Sequence, residues 1–177
     1  MATILIVDDA PECLAVLSSL LSPLCQVRAV TSGQLALQAA ASSPRPDLIL
    51  LDVMMPEMDG YKVIRHLLSN PATSDIPVIF VSALEQTDDE EHGLALGAVD
   101  YITKPIKPAI VIARIKAHLD LKAARDLLQD RNRSLAEDMA QRMAENLLIQ
   151  DISIRALAGL TEIRVQETGN RLCRMHG

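Results

Sequence analysis

The chain has 177 residues and a formal net charge of −6, with 49% of its residues hydrophobic and 23% charged. That suffices for one ordinary domain plus something extra, with the apolar content of a packed core rather than of a disordered tail. Net acidity disfavours a generic phosphate-backbone binder. With Tyr61, Phe80 and Tyr101 the sole aromatic residues, there is no platform for stacking single-stranded bases, so no nucleic-acid partner is expected.

In chain order, Ile4–Val7 reads as a strand and Pro11–Leu21 as a helix with proline in its first turn. Gln26–Val30 is a weaker strand, followed by an Ala- and Leu-rich helix over Gln34–Ala41. Leu48–Leu51 is a third strand, closed by Asp52 and a Met-Pro-Glu-Met-Asp-Gly turn. A helix over Tyr61–Leu68 ends ahead of Pro71, and Pro77–Val81 is the most β-like run. Thr87-Asp-Asp-Glu90 has capping-box spacing for a helix that stops near Gly97, and Val99–Ile102 is the fifth strand. Five strands separated by four helices predict an α/β fold, a doubly wound five-stranded parallel sheet completed by one more helix. The nearly continuous apolar third and fourth strands suit burial on both faces.

From Pro108 onward the pattern changes. No Pro or Gly occurs between Ala109 and Ala158, in a stretch rich in Ala, Leu, Arg, Glu, Asp and Gln, so the last α/β helix is expected to run on into a long extension. Leu121, Leu128 and Leu135 recur every seven residues, Arg142 breaks the series, and Ile149 resumes it. The partner positions Arg125, Asn132, Met139 and Asn146 are mostly polar. Both a self-associating coiled coil and a solvated single helix fit this pattern. The acidity belongs to residues 1–120, which carry 15 acidic against 8 basic side chains.

No apolar run approaches the roughly eighteen residues a membrane helix needs. The apolar opening stops at Asp8 without a cationic flank, unlike a signal peptide. A cytoplasmic protein without a membrane partner is expected. Cys13, Cys25 and Cys173 have unrelated spacings and read as reduced thiols; the four histidines lack ligand spacing and read as surface or capping groups.

Ligands of an open parallel sheet bind outside the carboxyl ends of its strands. The polar residues at those ends are Asp8, Asp9, Asp52, Ser82 and Lys104. Taken singly, an Asp there is often a helix cap, and a Lys a surface charge. Together, three carboxylates raise one another's pKa unless a cation intervenes. A hard divalent ion with oxygen ligands, Mg2+ above all, meets that need. With Lys104 as a second positive charge and Ser82 as a hydroxyl, the group makes a phosphoryl pocket.

Asp8-Asp9, Asp52-Val-Met-Met-Pro-Glu-Met-Asp-Gly60, Ser82-Ala83 and Tyr101-Ile-Thr-Lys104-Pro105, in this order and spacing, resemble a response-regulator receiver domain of two-component signalling, over roughly residues 2–120. The resemblance implies a flavodoxin-like receiver fold in which Asp52 takes a phosphoryl group from a sensor histidine kinase or a phosphotransfer protein. It implies Mg2+ held by Asp9, Asp52 and the backbone carbonyl of Met54, with Asp8 assisting through water. Lys104 would pair with the phosphoryl oxygens, and Ser82 would bond to the phosphoryl group on activation. Tyr101 would turn inward behind Ser82, although an inert, half-buried tyrosine also fits. The Lys104–Pro105 peptide would be cis. No enzyme activity is implied beyond the domain's own phosphoryl transfer and hydrolysis. Aspartate-nucleophile phosphatases usually carry a second Asp two residues after the nucleophile, where this chain has Met54.

The segment Glu167-Thr-Gly-Asn-Arg-Leu-Cys-Arg174 resembles the opening of HD-GYP domains, metal-dependent phosphodiesterases of cyclic di-GMP, with Arg164 as the arginine that commonly precedes it. The match covers about twenty residues and departs at Arg171, where the family usually has histidine; an amphipathic helix explains the same residues. The His-Asp pair and the Gly-Tyr-Pro loop are absent from this sequence, so the metal centre of such an enzyme is not expected in it. The expected organisation is a receiver domain over 1–120, a helical linker over 121–156, and 157–177 as a truncated start of an output domain or an amphipathic helix. The expected function is a phosphoacceptor whose helix passes the signal to an HD-GYP-type output and carries a homodimer contact. The alternative is a stand-alone receiver acting by phosphorylation-controlled dimerisation or partner binding.

Overall fold

The computed structural model of the chain describes residues 1–83 and 87–174, with side chains for 1–83 and 91–155. Its sheet holds β1 (Thr3–Val7), β2 (Gln26–Val30), β3 (Leu48–Asp52), β4 (Val78–Ser82) and β5 (Asp100–Thr103) in the order β2-β1-β3-β4-β5, with every pair parallel. Parallel neighbours need crossovers, and these are α1 (Pro11–Leu21), α2 (Gly33–Ala41), α3 (Gly60–Ser69) and α4 (Thr87–Ala95); α5 (Pro108–Arg174) follows β5. The five-stranded parallel sheet and the long C-terminal helix are those expected from the sequence.

Alternate residues of the central strands feed two cores. Leu5, Val7, Ile49 and Leu51 pack with Ala36, Ala39 and Ala40 of α2 and Val63, Ile64 and Leu67 of α3. Ile4, Ile6, Leu48 and Leu50 pack on the other face with Leu14, Leu17 and Leu21 of α1 and Val111 and Ile115 of α5. The period of two along each strand thus delivers one apolar set to each helical layer. β2 reads weakly because it is an edge strand with no fully buried residue.

Several boundaries differ from the sequence expectation, for local reasons. α2 and α3 begin one residue early, at Gly33 and Gly60, because Ser32 and Asp59 cap them; the Ser32 hydroxyl accepts from the Leu35 N–H and the Asp59 carboxylate from the Lys62 N–H. β3 and β4 run on through Asp52 and Ser82, which are therefore strand residues rather than the first loop residues. α4 stops at Ala95, ahead of Gly97, whose φ of +105° suits glycine. The capping-box spacing of Thr87–Glu90 and the side chains of Arg164, Glu167, Arg171, Cys173 and His176 lie outside the described residues. The chain divides into two compact units, Met1–Arg125 and Asp126–Gly177, the second of which is helical through Arg174. No helix among the described residues is long and apolar enough to cross a membrane.

Candidate functional site

The strand order reverses beside β1, which has β2 on one side and β3 on the other, so the crevice at the carboxyl ends of β1 and β3 is the topological switch point. Asp8 directly follows β1 and Asp52 ends β3; both are buried, 1% and 5% exposed, whereas Asp9 is exposed. The three carboxylates each place an oxygen within 4.8 Å of the others. From β5, Lys104 reaches back across the sheet, and its Nζ donates to Asp8 Oδ2 and to Asp52 Oδ2, each at 2.8 Å. The second oxygens are held by the backbone, with Ala10 N–H donating to Asp8 Oδ1 at 2.9 Å and Met54 N–H to Asp52 Oδ1 at 3.1 Å. Both buried carboxylates are thereby fixed in orientation.

Burial pushes the Asp52 carboxyl above the ordinary aspartate value; the hydrogen bond and charge of Lys104 pull it down without cancelling that rise. For Lys104 burial works downward, but the hydrogen bonds to Asp52 and Asp8 prevail and hold the ammonium above its ordinary value. One ammonium facing three carboxylates leaves the crevice electron-rich. A further cation has both a charge to neutralise and hard oxygen donors to receive it, the donor set of Mg2+ rather than of a soft metal. On α1 beside the crevice, burial, then the hydrogen bond and charge of Asp8, push the Cys13 thiol up to about 12.

Ser82 ends β4, is fully buried, and accepts the Lys104 N–H at its carbonyl, 2.8 Å away. Tyr101 is 3% exposed and sits inside the α2/α3 core, with its ring tilted against Phe80 at 6.3 Å between centroids. Phe80 meets Tyr61 edge-on at 5.4 Å, and Tyr61 meets His92 of α4 at 4.9 Å. All three aromatic residues of the chain therefore join one series of ring contacts that ends on α4. The Lys104–Pro105 peptide is cis, as is Ser43–Pro44, for which the sequence carried no expectation.

The structure thus brings Asp8, Asp9, Asp52 and Lys104 together, places Met54 beside them through its N–H, sets Ser82 on the neighbouring strand end, and sinks Tyr101 in the core. It also reveals contributors that the sequence analysis did not single out. A Cβ on Gly60 would stand 2.4 Å from the Asp52 carbonyl oxygen, while the Gly60 N–H donates to the Val53 carbonyl at 2.9 Å. Glycine at the start of α3 lets that helix close directly under the Asp52 loop, and the Asp-Gly pair was the available signal. His118 is likewise no surface group, since its Nε2 lies 3.1 Å from Asp100 Oδ2, the carboxylate that also receives Arg114.

Residues 4–116 match the family model described as the response regulator receiver domain. A probable cyclic di-GMP phosphodiesterase of Vibrio cholerae is 43% identical over 97% of this chain, which spans 39% of that relative. The response regulator PleD of Caulobacter vibrioides is 40% identical over 75% of the chain, covering 29% of its own length. Among solved structures, the signal receiver domain of a signal transduction histidine kinase from Syntrophus aciditrophicus superposes with a TM-score of 0.62 at 39% identity, over 68% of this chain and 91% of that one.

Proposed function

The chain belongs to the response regulator receiver domain family, and from that premise we propose that Asp52 is its phosphoacceptor in a two-component phosphorelay. The observation that carries this is the pairing of a buried Asp52 with Lys104 at 2.8 Å beside two further carboxylates. In the transfer, an Asp52 carboxylate oxygen forms the new P–O bond as the P–N bond of a phosphohistidine breaks, and the imidazole leaves with the electron pair. Asp8, Asp9, Asp52 and the Met54 carbonyl would hold Mg2+, which when bound neutralises phosphoryl oxygens. Lys104, already between Asp8 and Asp52, moves its hydrogen bonds onto the phosphoryl group, and Ser82 supplies a hydroxyl donor from the adjacent strand. New negative charge at Asp52 then biases the Ser82 loop and the Tyr101 ring, the two-state elements that alter the surface. Catalysis by this chain is confined to its own phosphoryl transfer and hydrolysis.

The donor is a sensor histidine kinase or a phosphotransfer protein, and the setting is cytoplasmic. The long α5 and the 43% identical phosphodiesterase relative support an HD-GYP-type cyclic di-GMP phosphodiesterase as the output the helix addresses, with residues 1–120 as the switch, 121–156 as the linker and 157–177 as the start of the output segment. A second mode of action, self-association through α5, is favoured by the exposed Leu128, Leu135, Met139 and Ile149.

Labelling by acetyl phosphate tests the assignment. The unmodified chain should take up label in Mg2+ and lose it in a chelator, and Asp52→Asn should take up none. Undiminished acid-stable label on Asp52→Asn would contradict it.

A further inference from the structure

The second unit carries large apolar side chains in the open: Leu128 is 62% exposed, Leu135 53%, Met139 59% and Ile149 60%. On a helix these form one seam with two interleaved sevenfold series. Leu128, Leu135, Arg142 and Ile149 make the first, and Asn132, Met139 and Asn146 make the second. In heptad terms the first series occupies d and the second a, so d is apolar except at Arg142 and a is asparagine except at Met139. Building on the self-association proposed above, we propose that a second copy of this chain covers the seam in a parallel, in-register pair. In that pair Asn132 and Asn146 each face their own counterpart.

The asparagines select this arrangement. In an antiparallel pair every a side chain packs against a d side chain, and the d series contains no asparagine. Setting Asn132 against Arg142 would leave Asn146 against Leu128, so any such register that satisfies one amide buries the other without a partner, which is costly. A parallel pair staggered by two heptads joins a single Asn pair and shortens the overlap. The in-register parallel pair satisfies both, since each side-chain amide offers a donor and an acceptor to its twin.

The flanking positions agree. Across a parallel seam Arg131 is opposed by Ala136, Asp138 by Met143, and Glu145 by Gln150, so no like charges meet. Arg142 is the layer that works against association, because it faces its own counterpart. Asp138 and Glu145, four and three residues away on its own helix, draw its long side chain out of the seam. Four apolar layers make a small interface of the transient class, below about 1,200 Å² in total, so the pair forms in a concentration-dependent way.

The test uses the full chain with Cys173→Ser, which removes the cysteine of α5, and adds Leu135→Cys in the seam or Glu137→Cys on the opposite face. Light scattering reports association, and mild oxidation reports geometry. A dimer is expected, linked for the most part through Leu135→Cys and little through Glu137→Cys. Replacing both asparagines (Asn132→Leu with Asn146→Leu) should keep the dimer but lower the linked fraction at least about twofold, because the register is no longer specified. Arg142→Leu should tighten the dimer by about tenfold. A dimer that Leu135→Cys does not link would overturn the parallel register while leaving self-association standing. A monomer at every concentration, with and without beryllofluoride, would overturn both. An unchanged linked fraction after the asparagine replacements would remove their orienting role and overturn the inference.

Discussion

Residues 1–125 and the helix beyond Asp126 draw on similar apolar residues and dispose of them in opposite ways. In the first, Phe80, Ile4, Leu50 and Ile64 are at most 1% exposed, and among the polar groups that reach the interior Asp8, Asp52 and Thr73 have hydrogen-bond partners. In the second, every described side chain is exposed, including Met143, Leu147, Leu148 and Ile152. The first unit therefore owes its stability to its own core, which is concentration-independent. An exposed helix gains little tertiary stabilisation while its apolar side chains stay uncovered, and any partner that covers them adds stability by mass action. A unit that buries its polar site is thus joined to a helix whose large apolar side chains stay in the open.

Substitutions at four positions probe that contrast, from the largest expected effect to the smallest. Phe80→Ala empties the centre of the α2/α3 core and should cost about 3–5 kcal/mol in urea unfolding. A loss under about 1 kcal/mol would mean that this core is not the source of stability. Lys104→Met leaves Asp8 and Asp52 buried together without their ammonium. It should cost about 3 kcal/mol in a chelator, and added Mg2+ should return part of the loss; equal stability with and without Mg2+ would argue against a cation site.

Asp59→Ala removes the cap of α3 and should cost about 1 kcal/mol near neutral pH. Partial burial draws the Asp59 carboxyl upward, but the hydrogen bonds from the Lys62 amide and ammonium prevail and hold it below the ordinary carboxylate range. With the folded value depressed, its stabilisation is fully present above the unfolded value of about 3.9 and fades as the pH falls through the folded one. Asp59→Asn keeps a capping oxygen, so it should be near neutral in thermal melts at pH 7 while flattening the acid side of the stability curve. Last, Leu135→Ala should change the stability of the dilute chain by no more than about 0.5 kcal/mol, yet shift the concentration-dependent dimer seen by light scattering to higher concentration. A large loss at high dilution would show that the helix is covered within its own chain.

The parts of this architecture legible in the sequence are those set by local pattern. β3 and β4 stand out because strands buried on both faces are almost wholly apolar, and the crevice is foreseeable because parallel strands bring their carboxyl ends to one edge. The approach of Gly60 to the Asp52 carbonyl is invisible in one dimension, since it depends on where α3 lands. The ring contacts from His92 to Tyr101 and the pairing of His118 with Asp100 join residues that no spacing links. Capped starts at Ser32 and Asp59 carry α2 and α3 through glycines that read as breaks. What the pattern supplies is the set of side chains at the site; their distances come from tertiary packing.

Peptide mapping of the phosphorylated chain addresses the central claim most directly. After reaction with acetyl phosphate in Mg2+, the phosphoryl group should be found on the peptide containing Asp52, as an acid-stable, base-labile adduct whose yield collapses in a chelator. Label on Asp8, Asp9 or a histidine, or label on Asp52 at full yield without a divalent cation, would contradict it.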